Sequence, residues 1–252
     1  MRSRLFLTLG IVVLAIPGPA ILTAQTDQKG TTMTQTTQTQ DRPVLAIDTL
    51  LDPDSTMIEH ATADNALLLK DFPKGYTLGG VHAPHISMLQ RYVYADQLDN
   101  LYAAVDKVFA AEGTTSWKLK AFKYYYIPAG PIGLGGIVIE PTPELLELQQ
   151  KLIDAAAPFE APTGTAAAFV TTPEDPDIVA PLIDYVRVFV PEHSGEHFSP
   201  HVTIGLGTVG YLDKLLAEPF TPFTFSTVGA SIYHLGNYGT AMVKLHSVPV
   251  KQ

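Results

Sequence analysis

The chain is 252 residues long, carries a formal net charge of −9, contains no cysteine and is 46% hydrophobic. Without thiols there is no disulfide framework, no thiolate metal site and no lipid attachment through sulfur. The acidic balance, with no Lys/Arg run, argues against a protein that grips long RNA or DNA, because phosphate contacts supply most of that affinity and need a basic face.

Arg2 and Arg4 precede an apolar stretch, residues 5–16, and Ala20 or Ala24 offers a small residue at a cleavage point. This is the pattern of an export signal over residues 1–24. Its apolar core is about 12 residues, short of the ~20 that a membrane span requires. The expected location is periplasmic or extracellular, with no membrane attachment once the signal is removed. Setting Arg2 and Arg4 aside with that segment takes the net charge from −9 to −11. Residues 25–42 are rich in Thr and Gln and have little to bury, so they read as a disordered spacer. Residues 43–252 suffice for one domain with a good-sized core.

Two short strings stand out in that domain. Pro84-His85-Ile86-Ser87-Met88 and Pro200-His201-Val202-Thr203-Ile204 lie 116 positions apart, and in each a β-branched residue separates a histidine from a hydroxyl. On a β-strand alternate side chains share a face, so each string aims an imidazole and a hydroxyl the same way. The bare tripeptide pattern is common, since His60-Ala61-Thr62 and His197-Phe198-Ser199 fit it too. His60, however, lies in a stretch without strand character that leads into Leu67-Leu68-Leu69. His197 sits among Gly and Pro residues that break regular structure. Only His85 and His201 combine a preceding proline with a following strand pattern.

After His85 comes a helical pattern over residues 94–110, with Leu98, Leu101, Tyr102, Val105, Val108 and Phe109 on one face. A hairpin pattern follows: strands at 117–127 and 137–139 around a Pro/Gly-rich turn at 128–136. Residues 144–156 and 177–190 supply two further helices. Beyond His201 the order returns, with a short helix at 211–217, a strand region at 223–235, a turn at 236–239 and a strand at 241–248. Motif strand, helix and hairpin, twice over, read as a duplicated α+β lobe with one motif per lobe. Alternation over 118–126 places Lys118, Lys120, Phe122, Tyr124 and Tyr126 on one face. Tyr124 and Tyr126 are therefore candidates for stacking against a substrate, and His197 for touching it at the cleft rim.

These motifs and their order resemble the two-histidine (2H) phosphoesterase superfamily, and within it the 2′-5′ RNA ligase-like and RNA cyclic phosphodiesterase proteins. The likeness covers about residues 43–250 and is carried most closely by residues 194–205 and the final hairpin. It implies a bilobal, duplicated α+β fold with interleaved lobes, in which two antiparallel sheets face a central cleft and the helices lie outside. It also implies catalytic roles for His85, Ser87, His201 and Thr203. One histidine would be the base and the other the acid, the hydroxyls would hold the non-bridging phosphoryl oxygens, and neither metal nor cofactor would be needed. RNA ligase-like members often have a basic residue shortly after the second motif, where this chain reads Ile204-Gly205-Leu206-Gly207. That departure weakens the case for RNA ligase-type substrates; the acidic balance favours small phosphodiesters, cyclic or 2′-5′-linked, over polymers, and the expected enzyme is a monomer.

Two rival readings remain at this level. His193, His197 and His201 are spaced by four and His82 and His85 by three, which suggests a metallohydrolase, although Gly195 and Pro200 oppose the helix that such spacing needs. The other rival is an exported ligand-binding module of the same fold that no longer catalyses a reaction.

Overall fold

The computed structural model describes residues 42–250; the expected export signal and all but the last residue of the expected spacer lie outside the described residues. In chain order the elements are β1 (Val44–Pro53), α1 (Ser55–Asp71), β2 (Ile86–Tyr94), α2 (Leu98–Ala111), β3 (Leu119–Ala129), β4 (Ile132–Ile139), α3 (Pro143–Ala156), α4 (Ala180–His193), β5 (His201–Thr208), α5 (Val209–Ala217), β6 (Phe223–Phe225), β7 (Thr227–Leu235) and β8 (Ala241–Val248). The strands form two four-stranded sheets, in the orders β2-β1-β7-β8 and β5-β4-β3-β6. Every pairing is antiparallel. The fold is α+β with duplicated halves.

Local chemistry explains the element ends. Asp54 accepts hydrogen bonds from the backbone N–H of Thr56 and Met57 at 3.1 and 3.3 Å, which starts α1. Its other oxygen accepts from the Ser226 N–H at 2.8 Å and so ties that helix start to the junction of β6 and β7. Thr142 caps α3, with Pro143 in the first helical turn. The expected helical stripe of α2 is the buried one: Leu101, Val105 and Phe109 face inward. One continuous core draws Ile47 and Met88 from the first sheet, Ile137 and Ile204 from the second, and Leu68, Phe109 and Leu148 from the helices.

The repeat unit is not the one the motifs suggest. The hairpin that follows the first motif, β3 and β4, lies in the sheet of the second motif, and β7 and β8, which follow the second motif, complete the sheet of the first. The reason is that a strand and helix precede each motif. The units are β1-α1-β2-α2-β3 and β4-α3-β5-α5-β7, and each gives its last strand to the other sheet. The helices are exchanged with them: α1 packs on β5, and α3 packs on β2. The expected turn at 128–136 is almost all strand, because Ala129 pairs with Ile132 and only Gly130 (φ 67°) and Pro131 turn the chain. Helix α4, which packs on β2, has no counterpart in the first unit and accounts for the long separation of the motifs.

Candidate active site

The two motif strands, β2 and β5, come together from the two sheets. Each histidine is held in the same way. His85 Nδ1 lies 2.7 Å from the Ala83 carbonyl, and His201 Nδ1 lies 2.7 Å from the Ser199 carbonyl, two residues back in both cases. A carbonyl only accepts, so Nδ1 carries the hydrogen in both rings and Nε2 is left for chemistry.

Both strands also carry a β-bulge immediately after the motif. In the first sheet Leu50 pairs with Ser87 and Thr49 with Leu89, which leaves Met88 unpaired; in the second, Gly136 pairs with Thr203 and Gly135 with Gly205, which leaves Ile204 unpaired. A buried carbonyl released from a ladder needs another donor. Gln149 of α3 donates to the Met88 carbonyl at 3.1 Å, and Asn65 of α1 donates to the Ile204 carbonyl at 2.9 Å. Each amide oxygen then accepts from the loop that leads into the opposite motif: Asn65 from the Leu78 N–H and Gln149 from the Gly195 N–H, both at 3.0 Å. Two buried amides thus tie each motif strand to the approach of the other.

The surroundings of the two motifs differ. Asp48 of β1 is fully buried. Its Oδ2 accepts a short hydrogen bond from the Ser87 hydroxyl and one of 3.0 Å from Gln90, and it stands 3.5 Å from His85 Nε2. Burial pulls the His85 pKa down, but the proximity and charge of Asp48, helped by the Ala83 carbonyl, outweigh it, and the net shift is upward from 6.5. For His201, burial and the charge of His85 outweigh the Ser199 carbonyl, and its pKa is lowered.

Ser87 is therefore not free to hold a phosphoryl oxygen, as the motif suggests, because its hydrogen is committed to Asp48. The Thr203 hydroxyl has no hydrogen-bond partner among the described residues and opens on the same cavity as both histidines. That cavity has a volume of about 470 Å³. Its remaining wall is largely apolar, formed by Ile127, Ile132, Leu134, Leu182 and Leu206, with Tyr185 and Tyr238 also lining it, and it includes neither Lys nor Arg. Burial pushes the Tyr185 pKa up to about 12, so its hydroxyl keeps its proton.

The stacking candidates on β3 are misplaced by one residue. The ladder shifts between Ala121 and Lys123, so Phe122 is an extra residue and the alternation changes face there. Tyr124 consequently points to the helices and donates to Asp64 at 3.0 Å, and Tyr126 donates to Asp213 of α5 at 2.7 Å. Tyr125 takes the cleft side, edge-on to His201 with ring centroids 4.8 Å apart. Its ring lies over Gly136, where any side chain would collide with it. His197 lines a smaller pocket of about 130 Å³ together with Ser87, Tyr125 and His201. His193 ends α4 and packs on Tyr185, while Gly195 (φ 57°) turns the chain before His197, so the spacing by four does not run along one helix face. Among the described residues, no three His, Asp or Glu side chains converge as a set of metal ligands. Asp48, Gln90 and Tyr125 are the residues of this site that the motifs do not reveal.

No protein-family profile matches the chain, and no curated protein matches it. Among solved structures it is similar to TT0787 of Thermus thermophilus, at 13% identity and a TM-score of 0.46, over 82% of this chain and 100% of that one. It is also similar to E. coli LigT complexed with 3′-AMP, at 14% identity and a TM-score of 0.43, over 83% and 99%. A third likeness is to a phosphoesterase, at 13% identity and a TM-score of 0.42, over 82% and 99%.

Proposed function

We propose that this protein is an exported phosphodiesterase that hydrolyses small phosphodiesters by two-histidine acid–base catalysis, without a metal. The observation that carries the reading is the pair of imidazoles on adjoining strands of two sheets, each with Nδ1–H fixed by a carbonyl two residues back and both lining one cavity. In the hydrolytic step one histidine takes a proton from water as its oxygen attacks phosphorus. The other gives a proton to the ester oxygen as the P–O bond breaks. Thr203 donates to a non-bridging oxygen, whose charge grows in the transition state.

The cavity wall narrows the substrate. With neither Lys nor Arg lining the cavity, the site suits the single charge of a diester better than a polyphosphate. Aliphatic side chains and two tyrosines suit an apolar or aromatic arm, including a nucleobase, next to the phosphorus. Export rests on the sequence of residues 1–24 alone.

The test is hydrolysis of 2′,3′-cyclic nucleotides, 2′-5′ dinucleotides and simple aryl diesters in excess chelator. Wild type is expected to turn over at least one of them, and His85→Ala and His201→Ala are each expected to lose at least ~10²-fold. Full activity in either variant, or activity abolished by chelator, overturns the mechanism. A folded wild type that binds diesters without turnover, equally well after both replacements, points instead to the binding module.

A further inference from the structure

The two motif strands share one backbone plan, so their registers can be laid over each other. Counting from the bulge, Asp48 pairs with Gln90 in the first sheet where Leu134 pairs with Leu206 in the second. A buried carboxylate and its amide partner thus stand beside one histidine, and two leucines stand in the same places beside the other.

The consequence for the rings follows from donor and acceptor counting. His85 has one close acceptor, the Ala83 carbonyl at Nδ1, and the Asp48 carboxylate 3.5 Å from Nε2, near enough for its charge to favour a doubly protonated imidazolium but too far to hold the Nε2–H, which stays available to a leaving oxygen. Among the described residues His201 has one acceptor, the Ser199 carbonyl at Nδ1, and its Nε2 keeps a lone pair. We propose, on the two-histidine reading, that Asp48 is a positioning residue that divides the labour, holding His85 as the proton donor to the leaving oxygen and leaving His201 as the base that deprotonates water. The step balances: the water proton passes to His201, the His85 proton leaves with the alcohol, and exchange with solvent resets both rings.

Other groups near these rings contribute less to the asymmetry than Asp48. Asp52 of β1, which accepts from the Ser231 hydroxyl at 2.8 Å, adds to the upward shift of His85 through its charge, but less than Asp48 or the Ala83 carbonyl. His82, Tyr76 and Tyr238 line a small pocket with His85. His193, His197 and Tyr125 surround His201 and none of these is anionic near neutral pH; the charge of His193 lowers His201 further, and the charge of Asp48, which also reaches this ring, does not overcome burial there. Gln90 Nε2 donates to both Asp48 Oδ2 and the Ser87 oxygen, which holds the carboxylate in place.

The experiment is a ring-nitrogen NMR titration of wild type, Asp48→Asn and Leu134→Asp, with signals assigned through His85→Gln and His201→Gln, beside pH–rate profiles of the same proteins. In wild type His85 is expected to titrate above His201. Asn in place of Asp48 keeps the shape and removes the charge, so burial acts unopposed and His85 should fall by at least about one pH unit. The alkaline limb of kcat should move down with it, and KM should change little. Leu134→Asp puts a carboxylate at the matching place in the second sheet, on the cavity wall, and should raise His201; this variant carries the test if Asp48→Asn does not fold. The proposal fails if His201 titrates above His85 in wild type, or if His85 is unmoved in a folded Asp48→Asn. The titration needs no turnover, so a protein whose rings behave as expected but which cleaves no diester sinks the two-histidine reading and leaves the carboxylate's effect on the rings standing.

Discussion

In the sheet that carries His85, the positions around the motif are polar and closed on one another: Ser87, Gln90 and Asp48 bond among themselves, and Leu89 fills the buried place beyond the bulge. In the sheet that carries His201, Thr203 is free, Leu134 and Leu206 take the places of Asp48 and Gln90, and Gly205 takes the place of Leu89. The pairing is alike in both, down to the bulge, the carbonyl behind the histidine and the amide that caps the bulge, and the backbone departs at Gly205, whose φ of 122° Leu89 does not share. The difference teaches that this duplicated frame fixes where two imidazoles stand, while side chains one strand away decide what each imidazole can do. The glycines also bring a helix closer. A Cβ on Gly205 would stand 2.6 Å from Asn65 Nδ2 and one on Gly207 2.8 Å from Leu68 Cδ2, so α1 rests on the second sheet at a distance that side chains there would forbid.

The strongest way to break the comparison is through the two amides, which differ in how much they hold. Asn65 donates to the Ile204 and Tyr76 carbonyls and accepts from Leu78, whereas Gln149 donates to the Met88 carbonyl and accepts from Gly195. Each buried group left without a partner costs about 1–3 kcal/mol. Asn65→Leu is therefore expected to lose upwards of ~3 kcal/mol in urea unfolding and Gln149→Leu about 2 kcal/mol. Activity should fall in both even under conditions where the proteins remain folded, because each change releases one motif strand and the approach of the other. Equal stability losses would show that the clamps share their load differently from what the bond count says.

A second contrast is the paired place beyond the bulge. Leu89→Ala should open a cavity costing roughly 2–5 kcal/mol, since the side chain is fully buried. Gly205→Ala should cost about 1–3 kcal/mol through the opposite fault: its φ of +122° is strained for any other residue, and the new methyl presses on Asn65. Thermal unfolding of the two variants separates underpacking from overpacking. If Gly205→Ala is neutral, α1 has room to move off the second sheet and the close approach is not enforced.

Much of this was legible in the chain, and the exceptions share a cause. Helices α2, α3 and α5 lie close to their apolar periodicity, at 98–111, 143–156 and 209–217 against 94–110, 144–156 and 211–217. Helix α4 begins later than its pattern, at 180 rather than 177; the Val179 N–H just before it is engaged by the Asn237 side chain, 58 residues away in sequence. The motif histidines are readable because strand alternation is local. Asp48 is not, because nothing local sets it apart from Asp52 in the same apolar-rich strand, and its partners are 39 and 42 residues away. The exchange of hairpins and the face change at Phe122 are likewise set by pairing between distant strands, which no window on the sequence contains.

The smallest expected effect sharpens that last point, because two adjacent tyrosines should answer oppositely to the same deletion. Tyr124→Phe removes a donor to Asp64, a carboxylate whose pKa burial already raises, and should cost about 0.5–1.5 kcal/mol with turnover unchanged. Among the described residues the Tyr125 hydroxyl is buried without a partner, so Tyr125→Phe gives up no hydrogen bond there, and its stability should stay within about 0.5 kcal/mol of wild type or rise slightly. The ring is kept, and with it the edge-on contact to His201. Because that hydroxyl is on the cleft side, turnover separates two roles. Unchanged kcat assigns Tyr125 to packing the His201 ring, while a rise in KM with kcat preserved assigns the hydroxyl to the substrate, which would then be the partner that the protein alone does not provide.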